Sequence, residues 1–163
     1  MRQNDPLTET DRIHLARCVE LARQAVEGGN RPFGSVLVGA DGAVLKEDFN
    51  RTGSGDPTRH PEFALARWAA ESFSPDERRQ MTVYTSGEHC PMCAAAHAWV
   101  GLGRIVYATT TEQLVGWLDE FGARPLPYRP VSARYLMPDL PMSGPAPEFT
   151  DEIKALHERV HRR

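Results

Sequence analysis

The sequence predicts an α/β fold in which one mixed β-sheet carries helices on both faces. Three observations predict it. Apolar residues recur at helical spacing near the start, then form two short runs around an Asp-Gly turn, and then alternate between short strand-like runs and helical stretches. A hairpin followed by strands that alternate with helices makes part of the sheet antiparallel and part parallel. The 163 residues are 40% hydrophobic and 25% charged, a globular composition that excludes disordered, collagen-like and coiled-coil classes.

From Thr8 to about Glu27, Leu15, Cys18, Val19, Ala22, Ala25 and Val26 mark one face of an amphipathic helix that Gly28-Gly29 stops. Cys18 lies on that face and reads as a small buried hydrophobe. Phe33 to Val38, Asp41-Gly42 and Val44-Leu45 read as strand, tight turn and strand. A polar loop, Asn50 to Arg59, leads to His60-Pro61-Glu62 and a helix through Ala69, with Pro61 at the first helical position. Met81 to Thr85 is a strand that ends in Ser86-Gly87-Glu88-His89-Cys90-Pro91-Met92-Cys93, and Pro91 opens the next helix. Ile105 to Ala108 reads as a strand and Thr111 to Phe121 as a helix. Within the proline-rich stretch 123–147, Val131 to Leu136 reads as a last strand, and Ile153, Leu156 and Val160 line a terminal helix over 149–161. Trp68 and Trp99 read as core or interface residues, His97 as packed or at a subunit contact, and His14, His157 and His161 as solvated helix residues.

Charge and cysteine usage narrow the function. Lys and Arg number 19 against 22 Asp and Glu, a net charge of -3, so the basic excess expected of a protein that grips phosphate backbone is missing. The N-terminal MRQNDPLTETDR has no apolar signal region, and the run Ala94 to Gly103 is too short to span a bilayer. The expected setting is the cytoplasm, with no membrane partner. There, a Cys-x-x-Cys pair reads as metal or redox chemistry before it reads as a disulfide.

His60, Cys90 and Cys93 each stand at a predicted helix start, and three protein ligands are the number typical of a catalytic zinc with an open fourth position. A helix N-terminus favours the thiolate, which is the metal-binding form. Glu62, two residues after His60, faces the metal site without ligating it, as a proton shuttle must. Alone, a histidine before a helix reads as a cap, and a Cys-x-x-Cys as a redox or structural pair. His-x-Glu followed 28 residues after its Glu by Cys-x-x-Cys is the pattern of zinc deaminases.

These motifs, with Arg31-Pro32-Phe33-Gly34 and Asp56-Pro57-Thr58 upstream, resemble the cytidine deaminase-like superfamily, and within it the guanine deaminases and tRNA adenosine deaminases. The resemblance covers about Leu15 to Ala108. It implies a three-layer α-β-α sandwich around a mixed five-stranded sheet, a single deaminase domain over 1–163, assembly as a homodimer or larger oligomer, and one Zn2+ per subunit. By position, His60, Cys90 and Cys93 bind zinc, Glu62 moves protons, Asn50 hydrogen-bonds the substrate and Phe33 floors the base pocket. Ser86 and Glu88 flank the cysteine turn where the family contacts water or base, and Asp119 and Glu120 fall where guanine deaminases carry a second proton shuttle or, as plainly, form a solvated helix end. Pro61 replaces the family's usual Ala or Cys. His89 replaces a proline, and reads as a solvent-facing loop residue, with a metal ligand or base contact as alternatives.

The expected reaction is hydrolytic deamination of a free aminated nucleobase or similar small heterocycle. Guanine comes first; cytosine or an aminotriazine is kept open because the end His157-Glu158-Arg159-Val160-His161-Arg162-Arg163 lacks the aromatic tail of guanine deaminases. tRNA adenosine deamination is the alternative, set back by the charge. A non-enzymatic zinc or redox module would leave Glu62 and Asn50 without a task.

Overall fold

Thr8 starts the first helix by accepting a hydrogen bond from the Asp11 N–H, while the Asp11 carboxylate accepts one from the Thr8 N–H, so two otherwise unpaired donors are satisfied at once. In this computed structural model, which describes residues 4–162, that helix is α1 (Glu9–Glu27). There follow β1 (Gly34–Val38), β2 (Val44–Phe49), α2 (Pro61–Ser72), α3 (Pro75–Arg79), β3 (Thr82–Gly87), α4 (Pro91–Val100), β4 (Ile105–Thr109), α5 (Thr111–Glu120), α6 (Ala133–Leu136), β5 (Met142–Ser143) and α7 (Thr150–His161). The five strands lie in the order β2-β1-β3-β4-β5. β1 is antiparallel to β2 and β3, whereas β3, β4 and β5 run parallel. The sheet is mixed, as expected.

Alternation along the strands builds the layers. Val36, Val38, Tyr84, Val106 and Ala108 face a core shared with Leu15 and Val19 of α1, Trp117 of α5 and Ile153 of α7. Their neighbours Leu37 and Val83 face the opposite core, shared with Leu65, Ala66 and Ala69 of α2, and Ile105 and Tyr107 pack with Ala94 of α4 and Ala133 of α6. Gly34 lets α1 lie against β1: a Cβ there would sit 2.4 Å from the Cys18 carbonyl oxygen and 2.8 Å from the Ala22 nitrogen. Cys18 is fully buried in that contact, as its place on the helix face predicts.

Several expectations change. Val131 to Leu136 is not a strand: Ser132 caps Ala133–Leu136 as a short helix by accepting from the Arg134 N–H. The fifth strand is Met142–Ser143, paired with Ile105 and Val106, and two residues are too few to show a period. Helix α3 was not expected, although Ser74-Pro75-Asp76-Glu77 forms a capping box there. His157 is buried rather than solvated, and His89 is 1% exposed rather than solvent-facing, edge-on to His97 with ring centroids 5.3 Å apart. Trp99 is 90% exposed, so it is not a core residue of the chain, while half-buried Trp68 packs edge-on against Phe73.

One buried charge network ties α1 to the sheet. Asp11 accepts from both terminal nitrogens of Arg104 at 2.8 and 2.9 Å and from the Tyr84 hydroxyl at 3.0 Å. Burial is the largest single influence and pushes the Asp11 carboxyl up, but the hydrogen bonds and charge of Arg104, the Thr8 N–H and the Tyr84 hydroxyl together outweigh it and lower the pKa to about 2. A carboxyl depressed in the folded state stabilises the fold above its unfolded pKa and loses that contribution as pH falls through the folded value. Asp11→Asn is therefore expected to cost about 2 kcal/mol in urea unfolding at pH 7. The gap between wild type and variant should close between about pH 4 and pH 2. An undiminished gap at the acid end would show that shape, not charge, is what Asp11 supplies.

Candidate active site

Two helix starts meet at one point. His60 is the N-cap of α2 and Cys90 the N-cap of α4, with prolines at the first position of each helix, and Cys93 lies in the first turn of α4. The ligand atoms of His60, Cys90 and Cys93 all lie within 4.8 Å of one another, and each sulfur is 3.6 Å from His60 Nδ1. Zinc bonds of about 2.3 Å to sulfur and about 2.0–2.1 Å to nitrogen, set at the tetrahedral angle, hold S and N about 3.6 Å apart. The three residues therefore fit a zinc ion. Their charge state fits as well: the hydrogen bond from Cys93, helped by His60, lowers the Cys90 pKa to about 4, so one thiolate is already present before metal adds its own pull.

Glu62, in the first turn of α2, is 6% exposed and accepts a 2.9 Å hydrogen bond from the Thr85 hydroxyl, which in turn accepts one from Ser35 at 3.0 Å. Burial raises its pKa above the ordinary carboxylate value, with His60 pulling the other way. A pocket opens from this point. Its floor and metal end are Phe33, His60, Glu62 and Cys90; Leu114 and Leu118 of α5 line one wall, Leu126 and Tyr128 of the proline-rich segment another, and Arg31 and His161 complete the rim.

Among the other residues expected to contact substrate, Glu88 lines this pocket, but both its carboxylate oxygens are taken by protein donors: Thr111 N–H, Ser132 Oγ and Ala133 N–H. Asn50 is buried at the end of β2 and does not appear in the lining; its Oδ1 accepts from Thr52 N and Oγ1 at 3.0 and 2.7 Å, which leaves its NH2 as the free donor. Ser86 is also enclosed: its hydroxyl accepts from Gly34 N–H and its carbonyl from Thr109. Asp119 and Glu120 lie exposed at the end of α5, outside the lining, and Glu120 pairs with Lys154 at 2.8 Å. Besides Thr111 at its start, α5 turns Leu114 and Leu118, one helical turn apart, toward the pocket. His89 does not join the metal cluster.

Sequence reasoning missed Leu126, Tyr128 and His161. His161 stacks on His157 at 5.8 Å, and His157 meets Phe33 edge-on at 5.1 Å, so a file of rings runs from the pocket floor to its rim. For His161 alone a signal was available, because 153, 157 and 161 lie at successive i, i+4 positions on one stripe of α7.

Zinc-dependent deaminases are the class in which a three-ligand site on an α/β sandwich opens into a pocket shaped for a ring, and this chain is one of them. It belongs to the family of the cytidine and deoxycytidylate deaminase zinc-binding region, which matches residues 8–109. The chain is 30% identical over 119 residues, 73% of its length and 72% of the relative's, to a probable cytosine deaminase of Schizosaccharomyces pombe. It is 38% identical over 111 residues to a guanine deaminase of Bacillus subtilis, covering 66% of this chain and 70% of that one. A solved structure of a tRNA:A34 deaminase superposes with a TM-score of 0.64 at 25% identity, over 89% of this chain and 99% of that one.

Proposed function

We propose that the protein removes the exocyclic amino group of a free aminated nucleobase or similar small heterocycle by hydrolysis, with guanine the first candidate, and releases ammonia. The observation that carries this reading is the pocket itself. It is about 60 Å³ in volume, room for roughly four to six waters at about 10–15 Å³ each. Leucines 114, 118 and 126, all from this chain, wall it. Small as it stands, a slot lined in this way suits a planar ring held on its faces by apolar groups once it widens to admit one. The guanine and cytosine deaminase relatives support the same substrate class.

Zinc, when bound, supplies a water whose pKa is lowered toward about 7. The chain's own residues then do the rest. Glu62 Oε takes a proton from the attacking water, passes it to the ring nitrogen beside the carbon under attack, and delivers one to the departing amine; a C–O bond forms, the C–N bond breaks and ammonia leaves. The Thr85 hydroxyl fixes the Glu62 rotamer. Phe33 and the leucines hold the ring flat. The reading includes a reducing cytoplasm, which keeps the free thiols of Cys90 and Cys93 available as ligands. It also includes a homodimer or larger assembly, supported by the exposed Trp99, Tyr135 and Leu136. Among the described residues no helix is long and apolar enough to cross a membrane.

The test is ammonia release from the zinc-loaded protein across guanine, cytosine, adenine, aminotriazines and their nucleosides, with an adenosine-containing tRNA anticodon stem-loop alongside. Turnover of one free base is expected. Silence across the small molecules with turnover of the stem-loop would replace this reading by tRNA adenosine deamination.

A further inference from the structure

The pocket wall formed by the proline-rich segment has little of its own to hold it. Residues 124–131 make no backbone–backbone hydrogen bond to any described residue. Their inner side presents Leu126 and Tyr128 to the pocket. Cavities of about 390 and 200 Å³ flank the segment, one beside Glu88, Thr111 and Pro130, the other beneath Pro125 and Leu126. At its far end, one carboxylate grips it: Glu88 Oε1 accepts from Ser132 Oγ at 2.6 Å and Ala133 N at 2.7 Å, while Oε2 accepts from Thr111 N at 2.8 Å.

We propose that Glu88 is a positioning residue: it latches the strap 123–132 over the pocket, and so sets substrate affinity through Leu126 and Tyr128 without touching the substrate. Three donors converging on one carboxylate make a directed hold. Glu88 stands two residues before Cys90, so the loop that carries a metal ligand also carries the latch, and the wall is held in register with the metal end. The pocket as closed is small, so a ring enters when the strap swings; the flanking cavities and the missing backbone bonds leave the strap room to do so. Glutamine cannot replace this hold. Its NH2 would face the Thr111 N–H or the Ala133 N–H, which would be left without an acceptor in either orientation.

The proposal rests on the zinc-site pocket being the substrate site, so its first readout needs no substrate. Chymotrypsin should cut the zinc-loaded full chain after Tyr128, a bond followed by Arg129 rather than proline. Glu88→Gln is expected to speed that cut about tenfold with zinc content unchanged, the effect of losing one hydrogen bond to a charged group. An unchanged rate of cutting overturns the latch whatever the substrate proves to be. The second readout is KM for whichever base releases ammonia. Glu88→Gln should raise KM about tenfold and leave kcat within about threefold. In a Leu126→Ala background the same substitution should add less than about twofold. Multiplying effects would mean that Glu88 meets the substrate itself. Should Glu88→Gln lose zinc, Ser132→Ala, which removes one bond from the far side of the latch, is expected to speed the cut in the same direction by a smaller factor; no change there also overturns the proposal.

Discussion

Glu62→Gln is expected to lower kcat by about 10²- to 10⁴-fold, the usual contribution of a positioned general acid–base, while the protein keeps one zinc per chain. The amide matches the carboxylate in size, and its carbonyl oxygen still accepts from Thr85, so the α2 start keeps its geometry. Only the ability to take and return a proton is removed. Because that ability matters in the transition state and not in ground-state binding, KM should stay within about threefold while kcat and kcat/KM fall together. Ammonia release under saturating and limiting substrate, with metal analysis on the same preparation, measures all three. Turnover within about tenfold of wild type would place the proton carrier elsewhere.

The metal end of this site was legible in the sequence because its ligands stand at helix starts. Prolines 61 and 91 fixed where α2 and α4 begin, and with those starts set, His60, Cys90 and Cys93 had to face one region. The order of the longer strands and helices was legible because each repeats its apolar pattern often enough to be read, whereas α3, five residues of proline and charged side chains, carries no such pattern and was missed. The substrate end was not. Residues 124–131 have no period, and their place over the pocket depends on Glu88, whose carboxylate reaches 44 residues along the chain to Ser132. No local pattern reports such a contact. Glu88 itself was expected at the substrate because of where it stands; its three protein donors assign it elsewhere. His157 was misread for a different reason. Its polar ring suggested solvent, yet it lies on the stripe of Ile153 and Leu156, and position on the helix outweighed polarity.

Cys90→Ala should abolish both metal and activity, and it separates the roles of the two kinds of cysteine. With one sulfur gone, His60 and Cys93 are left as two ligands, too few to hold zinc against dialysis when three are the minimum of an open catalytic site. Zinc content should fall from about one per chain to near zero, and kcat by at least about 10³-fold, because the water that must be activated loses its low pKa with the metal. The effect exceeds that of Glu62→Gln in kind: the first loses zinc and turnover together, the second turnover alone. Cys18→Ala supplies the contrast. That thiol is fully buried between α1 and β1, and burial raises its pKa well above the ordinary thiol value, so it is neutral packing. Its removal should cost about 1 kcal/mol of stability and leave zinc content unchanged. Metal analysis and urea unfolding of the two variants decide the assignment. If Cys90→Ala kept a full zinc, another donor would have to close the site; His89, adjacent and buried, stands nearest in sequence, and the three-ligand site with its open position would be lost with that result.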